Sequence, residues 1–457
     1  MTPFSAKARN RYRTILQVAW PLIVSNSFWN VQLTVDRVFL GNFSTEALAA
    51  AIAVSGIFWA PMALLQQTAS YLMTFVAQYF GAKEHQMIGP ATWQALHVSV
   101  IGGLLFLGLI PLSQLIFAVV GHSPELRTME IAYFDALCYS ALPTAVVAAV
   151  SSFFSGLGRT RVILWINFIG MAANAFFAYV LIFGKWGFPA LGVAGAGYAT
   201  ALAGYVAAAF AVSLLFRQQF EREFRMISGW RPDFALIKRF LRYGLPSGMQ
   251  WALEGLAFSV FLIIVGRMKD GQAALAGSGI VVTVMMLSVL PAMGVAQAVA
   301  IQVGQLLGER KGEEAKAVTW CGIHLALAYM MSMGLSFVLV PHFYLGWFQN
   351  PSNLALWNDV ARIVPVLLMF VAVFTCFDSL NLVCSFTLKG AGDTRFVSAV
   401  ALALPWPLMV LPTWIAREWD GALYWAWGTA SIYAMVQAMI FLRRFQSGKW
   451  ITMSVIH

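Results

Sequence analysis

Three carboxylates stand inside stretches of this sequence that otherwise read as hydrocarbon: Asp36, Glu254 and Asp378. A charge at the centre of a bilayer costs about 2.5–3.5 kcal/mol on insertion scales, so each acid needs a task or a partner. Two tasks suit them. Na⁺ takes oxygen ligands readily, which makes Glu254 and Asp378 candidate metal ligands for that ion, and a desolvated carboxyl has its pKa raised toward the range in which it carries protons. The plainer alternative is that each acid ties two helices together through a basic or amide neighbour. Arg37 is no such neighbour for Asp36, since adjacent helical residues do not face one another. Asp135 lies closer to an outer loop, where water can reach it.

Amides accompany the acids. Gln250 precedes Glu254 by four residues and Asn381 follows Asp378 by three, spacings that put each pair on one helical face. Asn26, Asn30 and Gln32 share a stretch with Asp36, and Asn167 and Asn174 share a later one. Hydrogen bonding between helices in lipid is the simpler role for such amides.

The elements that position these residues follow from composition. With 60% hydrophobic and 11% charged residues, a chain of 457 has too few polar side chains to clothe a water-soluble globule. Apolar stretches long enough to cross a bilayer recur over 14–40, 47–80, 91–119, 127–157, 161–184, 190–217, 236–266, 272–307, 315–342, 355–388, 395–416 and 421–444. The expected fold is an all-α integral membrane protein of twelve transmembrane helices. Pro21, Pro61, Pro143, Pro246, Pro291 and Pro405 mark candidate kinks.

Basic residues crowd cytoplasmic loops. With both termini inside, the inner segments hold 22 of the 29 Lys and Arg, from Lys7, Arg9, Arg11 and Arg13 through the run Arg217 to Arg242 to Arg443, Arg444 and Lys449. The net charge of +10 therefore reads as topology and contact with anionic lipid, not as a nucleic-acid footprint. The start Lys7 to Arg13 reads as the flank of a retained helix and not of a cleaved leader. Cys138, Cys321, Cys376 and Cys384 sit inside apolar spans without CxxC spacing, so neither disulfides nor a cysteine metal cluster is expected.

The second half restates the first. "AQYFGAKEHQ…TWQALH" at 77–97 meets "GQLLGERKGE…TWCGIH" at 304–324, pairing Gly81 with Gly308, Trp93 with Trp320 and His97 with His324 at an offset of 227. "SGLGRTR" at 155–161 meets "KGAGDTR" at 389–395, and Pro21 meets Pro246. Six spans per repeat is an even number, so the pseudo-twofold axis relating the two six-helix bundles should run along the membrane normal. The expected division is a tail over 1–13, a bundle over 14–217, a cytoplasmic linker over 218–235, a bundle over 236–444 and a tail over 445–457. The repeat pairs Glu254 with Trp29, Asp378 with Thr144 and Asp36 with Phe261, so the halves have diverged chemically.

Abundant Phe, Trp, Tyr and Met could line a cavity for lipophilic or cationic ligands, although packing and interfacial belts account for most of them. His97 and His324 suit helix packing better than a proton relay. Gly192, Gly195 and Gly197 stand in a hydrophobic stretch without a βαβ context, so close helix packing is their expected role. There is no GxxxxGKS or GxxxxGKT, no HExxH and no GxSxG, so the machinery of an ATP-driven pump or a conventional hydrolase is missing.

Taken together, "WPLIVSN…VDRVFLG" at 20–41, "LPSGMQWALEG" at 245–255, the two Gly-punctuated loops and "FPALGVAGAGYAT" at 188–200 resemble the multidrug and toxic compound extrusion (MATE) family of antiporters, over roughly 15 to 445. Glu254 together with Asp378 looks like its NorM-type branch, where acids at matching positions are associated with cation coupling. Asp36 matches the family's first-helix carboxylate, and Asn174 matches one member of a polar pair in span 5. Four residues on, where an acid often stands, this chain has Ala178, which weakens a proton site in the first half.

The resemblance implies a secondary active transporter and not an enzyme: export of amphipathic or cationic small molecules by alternating access, in exchange for Na⁺ or H⁺. Glu254, Asp378 and Asp36 would bind the coupling cation, with Asn381, Gln250 and Asn174 in support and no other cofactor. Partners would be those small molecules and membrane lipids, without nucleic acid, and a monomer should suffice because both bundles lie in one chain. The place implied is a bacterial inner membrane. A flippase for lipids or lipid-linked precursors is the alternative, but it would favour a cationic cavity where this sequence supplies acids. An integral membrane transferase would need an Asp-rich or His/Asp cluster at a membrane face, which the sequence lacks.

Overall fold

The computed structural model describes residues 6–120, 122–348 and 354–456, so residues 1–5 of the N-terminal tail, residue 121, residues 349–353 and His457 lie outside the described residues. Twelve spans emerge among those described. They are α1 (Ala6–Phe43), α2 (Thr45–Gly81), α3 (His85–Val119), α4 (Pro124–Cys138 followed by Ala141–Gly156), α5 (Thr160–Phe183), α6 (Gly192–Leu215), α7 (Phe234–Gly266), α8 (Gly271–Gly308), α9 (Gly312–Leu339), α10 (Leu354–Ala391), α11 (Thr394–Glu418) and α12 (Ala422–Gln446). Ten are single stretches long and apolar enough to cross a membrane, α4 qualifies as a pair bent by 40°, and α1 joins them by its 38 residues although it is too polar to stand with the ten. The protein is a multi-pass membrane protein.

Local chemistry sets several boundaries. Ser44 starts α2 by accepting the Ala47 N–H at 2.9 Å, which satisfies one of the helix's orphan donors. The break in α4 falls just before Pro143, as expected of a residue without an N–H. Pro405 leads into a π-helical turn, Trp406–Val410, inside α11. Pro21, Pro61, Pro246 and Pro291 sit inside helices that run on without a gap.

Clustering of contacts gives two compact units. The N-terminal unit comprises Val24–Ala252, Gly304–Arg310 and Ser454–His457; the C-terminal unit comprises α1 as far as Ile23, Leu253–Val303 and Lys311–Met453. The core of the first gathers Leu40, Val54, Phe117, Phe134 and Ile182, and that of the second Phe261, Phe337, Leu368, Val371 and Trp427. Within the second, the Trp427 indole N–H donates to Ser278 Oγ at 3.1 Å and its ring meets Phe261 edge-on. Such pairing is how an indole lies in an apolar core without a stranded donor.

The repeat is visible in the backbone. Lys83 and Arg310, equivalent at the offset of 227, both adopt the left-handed conformation, at φ +61° and +59°, and so do Gly158 and Gly392. Trp93 lies 5.9 Å from His97 and Trp320 6.4 Å from His324, ring to ring. His324 also meets the Tyr12 hydroxyl at 3.0 Å, in keeping with a packing role. The tightest approach in the N-terminal unit is again a repeat pair: a Cβ on Gly81 would lie 1.9 Å from the Gln305 carbonyl oxygen, and one on Gly308 2.2 Å from that of Gln78. Gly195 and Gly197 likewise abut α5 and α4 closely, as their setting in the sequence suggests.

The linker is ordered. Gln218–Phe224 forms a short helix whose Phe220 and Phe224 are buried against Phe153 and Phe154. The Ile227 N–H, with that of Ser228, holds the Glu221 carboxyl below the usual carboxylate range.

Candidate functional site

In the N-terminal unit, α1 carries Asp36 into the protein, where only 8% of its surface stays exposed. Its neighbours come from α4, α5 and α6. The Asn174 side chain lies beside the carboxyl, and Asn174 itself, fully buried, donates to Thr200 Oγ1 at 3.3 Å. Tyr133 of α4 is close enough to feel the charges of both Asp36 and Arg37. Asp36 Oδ1 and Asn174 Oδ1 have no hydrogen-bond partner among the described residues. The pairing of Asp36 with Asn174 expected from the sequence is present, and Ala178, one turn further along α5, is fully buried and supplies no second acid. Asp135 is half-buried and meets Ser113 instead of joining Asp36. Asn167 donates to Ser25, a helix-to-helix bond of the plain structural kind.

The C-terminal unit is more heavily charged. Glu254 of α7 accepts a hydrogen bond from the Gln437 amide of α12 at 2.9 Å, and Gln437 is 2% exposed. On α10, Asn381 donates to Asp378 Oδ1 at 3.0 Å, the one-turn contact that the spacing implies. Tyr433, one turn before Gln437 on α12, lies within electrostatic reach of both Glu254 and Asp378 and shares a hydrogen bond with Gln437. One face of α12 thus joins two acids that belong to different helices. Gln250, one turn before Glu254, is buried but falls in the N-terminal unit.

Lys389 is the residue that sequence reasoning placed elsewhere. Placed by the sequence in the loop after span 10, it sits instead in the last turn of α10 with 6% of its surface exposed, its ammonium 4.2 Å above the Phe386 ring and within electrostatic reach of Glu254. The neighbouring loop holds it there. Gly390 approaches α8 so closely that a Cβ would lie 2.9 Å from the Ala300 carbonyl oxygen, and Arg444 of α12 clamps Asp393 at 2.7 Å. Gln437 and Tyr433 were missed as well. A signal for Lys389 existed in the repeat, which sets it opposite the neutral Ser155 in the same half that gained two acids.

Chemically, the C-terminal cluster offers carboxylate, amide and phenol oxygens around a charge that is only partly balanced, a setting suited to a small cation. The Asp36 cluster offers one carboxylate with amide, hydroxyl and phenol neighbours.

Comparison with known proteins adds a family. The model of the MatE family matches residues 21–180 and 246–415, one match in each half. A probable multidrug resistance protein NorM of Mesorhizobium japonicum is 27% identical over 447 residues, 95% of this chain and 94% of that protein, and one of Thermotoga maritima is 24% identical over 96% and 93%. Among solved structures, the outward-facing conformation of a multidrug resistance MATE family transporter of the MOP superfamily superposes with a TM-score of 0.86 at 20% identity, covering 96% of this chain and 97% of that one. A MOP superfamily transporter from Pyrococcus furiosus, described as having a binding pocket of reversed polarity, gives 0.87 at 19% with the same coverage. These structures share the fold.

Proposed function

Since this chain belongs to the MatE family, we propose that it is a multidrug efflux transporter, a secondary active antiporter that exports amphipathic or cationic small molecules in exchange for Na⁺ or H⁺. The observation that carries the coupling half of this reading is the C-terminal cluster, in which Glu254 is hydrogen-bonded by Gln437 and Asp378 by Asn381, with Tyr433 within electrostatic reach of both acids. Glu254 and Asp378 bind the coupling cation, Na⁺ as a metal ligand pair or H⁺ as acids, while Asn381 assists. Asp36, with Asn174, is a second carboxylate able to take up a cation in the N-terminal unit. No further cofactor is required, since the gradient supplies the driving force.

Coupling by alternating access demands that the cation bind one conformation better than the other, because equal affinity shifts nothing. Acids held in a dry bundle satisfy that demand if hydration differs between the states. The small molecules and surrounding lipids are the partners, the working unit is a monomer, and the bundles 14–217 and 236–444 are the alternating bodies. The distribution of Lys and Arg supports a bacterial inner-membrane location with both termini in the cytoplasm. Family membership favours this reading over a lipid flippase, and the protein is a transporter and not an enzyme.

The test is efflux of a fluorescent organic cation from proteoliposomes under separately imposed Na⁺ and proton gradients, with wild type beside Glu254→Gln and Asp378→Asn. Export driven by one gradient and lost in both variants is the expected result. Wild-type rates in both variants at equal abundance would remove the site assignment, and a wild type indifferent to either gradient would remove the antiporter.

A further inference from the structure

The cytoplasmic ends of the two units, in the orientation proposed above, differ in the charge they gather. On the N-terminal unit, a cleft of about 530 Å³ at the linker helix is lined by Gln218, Gln219, Arg222 and Glu223, one cation against one acid. On the C-terminal unit, an open cleft of about 300 Å³ is lined by Phe396 of α11 and by Ile440, Arg443, Arg444, Ser447 and Lys449 at the end of α12, three cations and no acid. The bias of basic residues toward the cytoplasm accounts for their presence here, but not for their convergence on one cleft with an apolar wall.

The cleft is held in shape. Arg444 donates from Nε to Asp393 Oδ2 at 2.7 Å and lies 4.8 Å over the Phe396 ring, which fixes its guanidinium and leaves the terminal nitrogens for another acceptor. Arg443 and Lys449 are exposed, and no acid pairs with either among the described residues. Gly448, at φ +69°, turns the chain after α12, and Trp450 pins the turn: fully buried, it donates to the Phe445 carbonyl at 2.8 Å and stacks on the Phe445 ring. Lys449 is thereby kept beside the last turn of the helix. Bare carbonyls at a helix end would repel an anion, but the Arg443 and Phe445 carbonyls accept from the Ser447 and Gly448 N–H groups, and the Arg444 carbonyl accepts from the Ser447 hydroxyl. Three cations, one of them paired with Asp393, leave two positive charges for a ligand. Phe396 and Ile440, both half-buried, offer that ligand hydrocarbon as well.

We propose that this cleft binds a phospholipid with two phosphodiesters, of the cardiolipin class, its phosphates on Arg443, Arg444 and Lys449 and the start of its acyl chains against Phe396 and Ile440. Basic clefts between membrane helices on the cytoplasmic side suit such headgroups, and the apolar wall favours a lipid over a free phosphate. The inference goes beyond the transport reading and shares with it only the placement of this end of α12 at the headgroup level.

The test is retention of radiolabelled cardiolipin by the purified full chain in detergent, with unlabelled phosphatidylcholine and inorganic phosphate as competitors. Wild type should retain the lipid saturably and yield it to neither competitor. Arg443→Gln combined with Lys449→Gln should weaken retention by about tenfold or more, because two of the three cations go. Both side chains are exposed, so this variant should keep the wild-type Tm. Arg443→Lys combined with Lys449→Arg keeps the charges and should stay closer to wild type than to the glutamine pair. Arg217→Gln combined with Arg222→Gln removes the same charge from the N-terminal unit and should change retention by less than about twofold. Equal losses in the two glutamine pairs would overturn the proposal in favour of diffuse attraction, and wild-type retention after Arg443→Gln with Lys449→Gln would overturn it outright. Displacement by inorganic phosphate at concentrations matching those of the lipid would make the cleft a free-anion site and overturn the lipid assignment. A wild type without gradient-driven efflux would defeat the proposed function while retention still decided what this cleft binds.

Discussion

In the N-terminal unit Asp36 of α1 is met by an amide and lies near a phenol, whereas in the C-terminal unit Glu254 and Asp378 share their surroundings with an amide on each and a buried lysine. The scaffolds are repeats, down to the left-handed backbone at Lys83 and Arg310, yet the charges they enclose differ in number and sign. The duplicated helical frame holds both arrangements while keeping the same loop backbone at equivalent positions. What a carboxylate does in such a frame depends on its compensation.

The comparison breaks most visibly in transport. Asp378→Asn should lower gradient-driven efflux by about tenfold or more, equivalent to about 1.4 kcal/mol, while Asp36→Asn should slow it by less than about threefold. Initial rates in proteoliposomes under the driving gradient read this directly, and a reversed ranking would move coupling into the N-terminal unit. A smaller effect sharpens the structural side. Gly81→Ala and Gly308→Ala each drive a methyl into a facing carbonyl oxygen, so both should destabilise by about 1–3 kcal/mol, seen as a lower Tm in detergent. One variant failing while the other is silent would mean that the two repeats do not share this crossing. The smallest effect concerns the left-handed pair: Lys83→Gly and Arg310→Gly should each stabilise by at most about 1 kcal/mol, by relieving a conformation that costs an L-residue more than glycine. Thermal denaturation should show a rise of similar size in each.

Much of this was legible in the residues. Eleven of the twelve spans follow from apolar length, the repeat from loop punctuation, and the Asp378–Asn381 contact from helical spacing alone. Gln437 and Tyr433 were not, because a polar residue in a long apolar helix announces only that it needs a partner, and the partner lies 183 residues away in the case of Glu254. Lys389 was misplaced for a different reason. Basic residues near the cytoplasmic end of a span usually reach water, and nothing in its immediate neighbours says that Gly390 brings the helix hard against α8. The bend in α4 was half legible, Pro143 marking its place but not its angle.

The polarity of α1 also bears on how the protein is made. This helix, synthesised before α2, brings Asn26, Asn30, Asp36 and Arg37 to the membrane and lacks the sustained apolar run of the helices after it. Such a segment gains little by entering lipid on its own. Its residence in the bilayer has to be secured by later helices, among them α5, whose Asn174 answers Asp36. The acid of α1 is therefore answered only by a helix that lies more than a hundred residues further along the chain.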